Sequence, residues 1–365
     1  MENKAAPLQQ AIPRWQSIDV LRGFAALLVL TFHFTGLTGG HLPADLSWNH
    51  IKPYALQIGS VGTNLLLLLS GFFIASSMRK PNFSYRTFLR SRMIRLYFPY
   101  LFLLLLTQCF WNLFPGFSKP HPQLDDLSYL FRQFLLFPGL FPERPMLTVA
   151  WTLSFIFAGY CLLPLLPILW RRLFPTHTSA LPAWALAIAI LLASNLTLGS
   201  PIFRTIYIPI GCVVAELMLD GELQHRIRYW FLASLCCGFL SPALYPLTMA
   251  ALVAATLSFG RKPQWPSQHP LTQSLSWIGK RGYSVYLLHG PIMKLSVGLT
   301  VVLTPGVFQS SMSLLSLYAL GLGLTLLASH CSYHLLELRA PRWFEAKRSV
   351  FDTQTALPHA WPATP

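Results

Sequence analysis

Long apolar segments follow one another along this chain and constrain its fold more than any other feature. A helix needs about 20 apolar residues to cross the hydrocarbon core of a bilayer, and we count about ten segments near that length. Backbone polar groups find no partners in lipid, so a chain crosses it as a helix or a closed barrel. The predicted helical spans are about 18–38, 56–78, 94–114, 147–169, 181–198, 203–219, 229–243, 245–259, 283–303 and 312–336.

The composition agrees with an all-α integral membrane protein built as a bundle of these helices. Hydrophobic residues make up 53% of the 365 residues, and charged residues make up only 11%. No polar stretch is long enough for a second soluble domain. We therefore expect one multi-span membrane domain over residues 1–346, followed by a disordered cytoplasmic tail at 347–365. The first span has full length and no small-residue cleavage site after it, so it is predicted to stay as an anchor.

The basic residues predict the orientation. The formal net charge is +15, but Lys and Arg lie between apolar spans rather than on a soluble patch, so we expect no nucleic-acid partner. With ten spans and a cytoplasmic N-terminus, most of them fall in cytoplasmic segments, as the positive-inside rule requires. The pattern therefore predicts that both termini are cytoplasmic.

His33 is an ionisable residue inside the first predicted span, and Arg22 and Asp19 fall on the same helical face. Eleven residues, or about 16 Å of helix rise, separate Arg22 from His33. Ionisable groups inside a membrane are costly and usually mark a pathway or a reaction site. Histidine can also take a proton from a hydroxyl near neutral pH. We predict a functional His33 supported by Asp19 and Arg22; a histidine hydrogen-bonded within the bundle is the alternative.

Arg92 and Arg95 form an Arg-x-x-Arg pair just before the third span, with Arg90 close by. Guanidinium groups bind phosphate through paired donors, so this spacing suits a polyphosphate ligand. The alternative is that these residues merely fix the orientation of the neighbouring span.

The remaining polar residues are weaker candidates. Tyr286 and His289 share a face near the start of the ninth span, where spacing alone favours a structural histidine. Ser70 precedes Gly71 in the second span, a pattern that allows close helix approach. His330 and His334 lie four residues apart without an accompanying carboxylate motif. The six cysteines contain no Cys-x-x-Cys motif, so we expect no metal site.

Taken together and in order, several segments resemble the membrane acyltransferase-3 family. Residues 18–33, Ile-Asp-Val-Leu-Arg-Gly-Phe-Ala-Ala-Leu-Leu-Val-Leu-Thr-Phe-His, look like the opening signature, with Arg22 and His33 at its characteristic spacing. The other matching segments are Leu-Leu-Ser-Gly-Phe-Phe-Ile at 68–74, the basic segment 88–100, Trp-Thr-Leu-Ser at 151–154, Tyr-Ser-Val-Tyr-Leu-Leu-His-Gly-Pro at 283–291, and Ser-Tyr followed by Glu337.

The resemblance implies a multi-pass O-acyltransferase of the plasma membrane, here a bacterial inner membrane. It would move an acyl group, with acetyl as the expected one, from cytoplasmic acyl-CoA to a hydroxyl of an extracytoplasmic or lipid-linked glycan. Acyl-CoA is then a co-substrate, no bound cofactor is expected, and membrane lipids and the glycan are the other partners. By the same resemblance His33 would be catalytic, and Arg92, Arg95 and Arg90 would bind the donor phosphates. Possible site-lining residues are Ser70, Trp151, Ser154, Tyr286, His289 and Glu337.

One position departs from the family pattern. The fourth-span motif usually continues to a glutamate, and this chain has Ile156 there. Either Asp19 or another group serves in place of that carboxylate, or this member is altered or inactive, in which case it would be a sensor or scaffold. The alternative function is a transporter or exporter of a lipid-linked sugar or small solute, because intramembrane Asp, Arg and His suit that class as well.

Overall fold

The structure is a computed structural model that describes residues 16–41, 48–113, 127–136, 138–140, 144–176, 179–198, 205–219, 245–259, 265–304, 308 and 311–339. Within this part of the chain every regular element is a helix, which confirms the all-α prediction. The predicted span at 229–243 and the predicted tail at 347–365 lie outside the described residues.

Each predicted span that lies within the described residues overlaps at least one helix. The helices are α1 Gln16–Thr38, α2 Trp48–Met78, α3 Tyr85–Arg92, α4 Phe98–Leu113, α5 Leu127–Phe134, α6 Ala150–Leu162, α7 Leu165–Leu173, α8 Leu181–Leu198, α9 Tyr207–Leu219, α10 Tyr245–Phe259, α11 Pro270–Lys280, α12 Gly282–Leu303 and α13 Ser311–Ser332. Turns of 3-10 or π-helix extend some of them, at Gly39–His41, Met93–Tyr97 and Tyr333–Leu338.

Among the described residues, five helical segments are long and apolar enough to cross a membrane, which makes the chain a membrane protein. They are Gln16–Thr38, Asn49–Met78, Ala150–Leu173, Gly282–Leu303 and Met312–Leu338. Shorter apolar helices lie at Leu181–Ser194, Tyr207–Leu219 and Tyr245–Phe259. The count of about ten spans and the cytoplasmic termini remain predictions.

Glycines hold α2 against α9 at very close range. A Cβ added to Gly71 would lie 1.7 Å from the carbonyl oxygen of Ile208, and one added to Gly211 would lie 1.8 Å from that of Leu68. The Cys212 thiol, in the same contact, donates to the carbonyl oxygen of Gly71 at 3.3 Å. Lipid chains are as apolar as the helices, so close packing of small residues replaces the hydrophobic effect as the force that joins helices.

A second glycine crossing holds α1 against α11. A Cβ on Gly279 would lie 1.7 Å from the carbonyl oxygen of Asp19, and one on Gly23 would lie 2.1 Å from that of Leu275. Helix α1 also contacts α2 and α12, and α12 packs along α13. These contacts put α1, the helix that carries Asp19, Arg22 and His33, in the middle of the bundle.

Two π-helical turns lie at one end of the bundle. The first, Met93–Tyr97, joins α3 to α4, and the second, Tyr333–Leu338, continues α13. The Tyr283 hydroxyl on α12 donates to the backbone carbonyl oxygen of Leu96, which ties the first turn to α12. Single turns of π-helix occur frequently at functional sites, because the extra residue per turn changes where side chains point.

Candidate functional site

A cavity of about 780 Å³ lies at one end of the bundle, between α1, α2, α6, α12 and the two π-helical turns. The exposed side chains of Lys80, Arg95 and Lys280 belong to its lining, so the cavity is open at that end. On α2 its lining runs from Ser77 back to Thr63, which corresponds to about 21 Å of helix rise, and Lys80 follows just after the end of α2. We call the end at Lys80, Arg92, Arg95 and Lys280 the mouth and the end at Thr63, Thr152 and Tyr286 the inner end.

Cations outnumber carboxylates in the cavity lining. Asp19 and Glu337 are its two acidic residues. Its five Lys and Arg residues are Arg22, Lys80, Arg92, Arg95 and Lys280. A cleft with an excess of one charge sign concentrates ligands of the opposite sign. The mouth is therefore suited to an anionic group such as a phosphate.

Arg92 is fixed in the wall of the mouth by its neighbours. Its Nη2 donates to the Ser77 hydroxyl at 3.3 Å, and its guanidinium carbon lies 5.2 Å from the Phe88 ring centre and 5.3 Å from that of Tyr160. Its Nε atom is buried and has no hydrogen-bond partner among the described residues. Arg92 is thus positioned with donor capacity to spare, which is what binding of an anion requires.

Glu337 lies in the same lining and is held by α12. One carboxylate oxygen accepts hydrogen bonds from the backbone N–H of Ser284, at 3.1 Å, and from the Ser284 hydroxyl. Arg22 and Arg95 line the same cavity. Arg22 in turn has its guanidinium carbon 5.6 Å from the ring centre of Phe73. Glu337 therefore ties the second π-helical turn to α12.

A hydrogen bond between Thr152 and Tyr286 lies at the inner end. The two hydroxyls contact each other, and Thr152 also donates to the carbonyl oxygen of Val149 at 2.8 Å. Both side chains are buried. Ile156, in the position where the family resemblance leads us to expect a carboxylate, lines the cavity one helical turn from Thr152.

His33 and His289 lie next to each other beyond the inner end. Their ring centres are 5.0 Å apart with an angle of 40° between the ring planes. The ring of His289 is also 5.8 Å from that of Tyr286, about one helical turn away on α12. His289 is 1% exposed and His33 is half-buried. The structure thus brings together two histidines from helices that are far apart in sequence, close to the cavity but outside its lining.

The structure separates the other predicted residues into two groups. Asp19, Arg22, Ser70, Arg92, Arg95, Tyr286 and Glu337 all line the cavity. Arg90 is exposed and lies outside the lining. Trp151 and Ser154 also lie outside it; Ser154 donates to the carbonyl oxygens of Pro138 and Ala150, which satisfies its hydroxyl. Ser70 donates to the carbonyl oxygen of Leu66 at 2.8 Å within its own helix.

Sequence reasoning missed several lining residues. Thr152 and Tyr160 share the cavity-facing side of α6 with Ile156, at helical spacings of four residues. Ile156 is the position at which the motif departs from the family. Residues four positions before and after it on a helix share its face, so this spacing could have predicted Thr152 and Tyr160. Lys80 and Lys280 were counted only as orientation signals, because nothing in the local sequence distinguishes a lysine at a cavity mouth from one in a loop.

Metal ligation has no support in the described part of the chain. No group of three or more His, Cys, Asp or Glu side chains there has a suitable arrangement. His330 and His334 do face each other, with ring centres 4.5 Å apart, but Arg281 Nε donates to Nδ1 of His330 at 3.1 Å.

Comparison with known proteins gives two matches. The profile of the acyltransferase-3 family, described as an acyltransferase domain, matches residues 15–334. A protein of Bacillus subtilis (strain 168), YrhL, provisionally named a peptidoglycan O-acetyltransferase, is 22% identical over 389 aligned residues. The alignment covers 92% of this chain and 56% of the relative, so the chain spans about half the length of that protein. No solved structure matches the chain significantly.

Proposed function

The chain belongs to the acyltransferase-3 family, and on that premise we propose that it transfers an acetyl group from cytoplasmic acetyl-CoA to a glycan hydroxyl outside the membrane. The family match makes the chain an acyltransferase. The donor, the acceptor and the side from which each arrives are the proposal. Peptidoglycan is the proposed acceptor, on the strength of the name of the Bacillus subtilis relative.

The observation that carries the proposal is the cavity with a basic mouth and two histidines beyond its inner end. Arg92 and Arg95 both line the mouth, as a polyphosphate donor requires, and Arg92 has an unused buried donor. The lining is elongated, so a ligand bound at the mouth by its phosphates can extend a slender arm toward Tyr286. A thioester at Tyr286 would be about one helical turn from the level of His289.

The proposed reaction uses His33 as a general base. His33 accepts the proton of the acceptor hydroxyl while the hydroxyl oxygen attacks the thioester carbonyl carbon. The new C–O bond forms, the C–S bond breaks, and the CoA sulfur leaves with the proton that His33 carried. The products are an ester and free CoA thiol.

The membrane arrangement belongs to the same proposal. We place the mouth on the cytoplasmic side of the bacterial inner membrane, with about ten spans and both termini in the cytoplasm, because the basic residues follow the positive-inside rule. A single cysteine at Lys280, in a background with the native cysteines replaced, should react with an impermeant maleimide from the cytoplasmic side. A cysteine at Arg132 should react from the opposite side, and the reverse pattern would overturn the orientation.

The decisive experiment compares wild type and His33→Ala in proteoliposomes supplied with labelled acetyl-CoA and peptidoglycan fragments. We expect acceptor-dependent release of CoA and an ester-linked acetyl group on the glycan, both abolished by His33→Ala. A variant that reaches the membrane in normal amount and retains full transfer would refute the role of His33. Solute flux without thioester cleavage would instead support the transporter alternative.

A further inference from the structure

The group that orients His33 is the missing part of the proposed mechanism. A general-base histidine needs an acceptor for its second ring N–H, since that contact fixes the tautomer and the orientation of the ring. Ile156 offers no acceptor. Asp19 lies fourteen residues before His33 on the same helix, about 21 Å away along its axis. The nearest polar side chain to consider is therefore on another helix.

We infer that His289 is this positioning residue and accepts the second N–H of His33 through its Nε2 atom. The inference rests on the proposed function, because it matters only if His33 acts as a base. It begins from the ring centres of the two histidines, which are 5.0 Å apart. Two imidazole rings joined by an N–H···N hydrogen bond of about 2.9 Å have a similar centre-to-centre separation, so the proposed contact requires rotation of the His33 ring and not an approach of the helices.

The tautomer of His289 follows from its backbone contact. Its Nδ1 lies 3.2 Å from the carbonyl oxygen of Val285, one turn earlier on α12. A carbonyl oxygen can only accept, so Nδ1 carries the proton. In a neutral imidazole the other nitrogen is then an acceptor. The Nε2 atom of His289 thus carries a lone pair that can accept a hydrogen bond. This atom is buried and has no hydrogen-bond partner among the described residues.

An unpartnered acceptor at this depth is costly, so it calls for an explanation. A buried acceptor that is left unsatisfied has lost its hydrogen bond to water without replacement, and this cost grows where the surroundings are apolar. The His289 side chain is 1% exposed and sits in the middle of α12, which has the length and composition of a membrane span. The His33 ring is next to it and can supply the missing donor.

Other neighbours of the pair do not supply that contact. Tyr286 is close to His289, but the hydrogen bond that its hydroxyl makes within the described part of the chain is to Thr152 and not to His33. Lys294, whose charge acts on His33, carries an ammonium group that donates and cannot accept. Phe32, the other ring beside His33, has no polar atom. Of the two rings that lie beside His33 in the described part of the chain, that of His289 has an unused lone pair.

The proton balance in this arrangement is simple. His33 holds one proton on the nitrogen that faces His289 and presents its other nitrogen to the acceptor hydroxyl. That second nitrogen takes the hydroxyl proton and then passes it to the leaving sulfur, while His289 keeps its own proton on Nδ1 throughout. His289 stabilises the cationic form of His33 by accepting a stronger hydrogen bond from it.

Three substitutions at His289 separate this role from simple packing. Gln places an amide oxygen near the position of Nε2, whereas Asn reaches only as far as Nδ1, and Phe keeps the ring shape without any polar atom. We expect Phe and Asn to lower kcat on the order of 100-fold, the low end of a general-base contribution, with KM for acetyl-CoA unchanged. Gln should restore kcat to within about tenfold of wild type, because it keeps the acceptor.

The control is the folded yield and thermal unfolding midpoint of each variant in detergent. Equal losses with Gln, Asn and Phe, or a rise in KM in place of the fall in kcat, would overturn the inference and leave a packing role. If His33→Ala is inactive and His289→Phe is as active as wild type, the inference fails while the proposed function stands. If His33→Ala is active, the proposed function fails first.

Discussion

The mouth and the inner end of the cavity differ in charge, exposure and hydrogen bonding. The mouth combines exposed Lys80, Arg95 and Lys280 with a half-buried Arg92. The inner end has no charged side chain at its Thr152–Tyr286 contact, and the His289 ring beyond it is fully buried. Charges in contact with water bind ions at little cost, whereas a proton acceptor works best where water does not compete with it. One cavity therefore offers two environments for the two parts of a charged thioester.

The largest effect is expected from a substitution that disturbs the mouth and the inner end of the cavity together. Gly279→Ala puts a Cβ 1.7 Å from the Asp19 carbonyl oxygen, so α1 and α11 must separate and the cavity wall moves with them. Overpacking of this kind costs about 1–3 kcal/mol or more. We expect little folded protein, measured as monodisperse yield and unfolding temperature in detergent.

Gly323→Ala is the matched control for that variant, because nothing lies within 4 Å of a Cβ added there. It should leave yield and unfolding temperature unchanged. Equal behaviour of the two variants would contradict the close crossing of α1 and α11.

The second effect concerns the mouth alone. Replacing both Arg92 and Arg95 with Ala should raise KM for acetyl-CoA about 100-fold or more and leave kcat within a few-fold. Each hydrogen bond to a charged group is worth about 1.5–3 kcal/mol, and loss of uniform binding appears in KM. Arg90→Ala, which alters an exposed arginine outside the lining, is the control and should change KM less than about twofold. A larger rise in KM with Arg90→Ala would indicate that the donor binds outside the cavity.

The third effect concerns the inner end alone. Thr152→Val leaves the buried Tyr286 hydroxyl without its partner, so it should destabilise the protein by about 1–3 kcal/mol and lower kcat about tenfold. Tyr286→Phe should cost less, because Thr152 keeps its hydrogen bond to Val149. Thermal unfolding and steady-state rates at saturating acetyl-CoA test this order, and the opposite ranking would argue against the contact.

The smallest effect is a response to salt. Raising the ionic strength from about 0.1 to 1 M shortens the Debye length from about 10 to 3 Å. KM for acetyl-CoA should rise several-fold while kcat holds, because the mouth is exposed and the inner end is not. A fall in kcat without a change in KM would place the salt-sensitive charges at the inner end and contradict the assignment of donor binding to the mouth.

Periodicity predicted the helices well and their boundaries less well. The segments predicted at 181–198 and 245–259 coincide with α8 and α10, since apolar runs of that length have few other stable forms. Helix α2 begins at Trp48, eight residues before the predicted 56, because its first turns are polar and carry Pro53. The π-helical turns at Met93–Tyr97 and Tyr333–Leu338 were not predicted from the sequence.

For the site, the sequence by itself determined which residues are chemically competent. Ionisable side chains in or beside a membrane span are energetically costly whatever surrounds them. Composition and helical spacing therefore pointed to His33, Arg92 and Arg95. Only the tertiary structure decided that Arg92 and Arg95 share a cavity with Tyr286, and that His289 lies beside His33. The pair is separated by 256 residues and comes together because α1 and α12 pack against each other. Helical periodicity describes one helix at a time and contains no information about its neighbour.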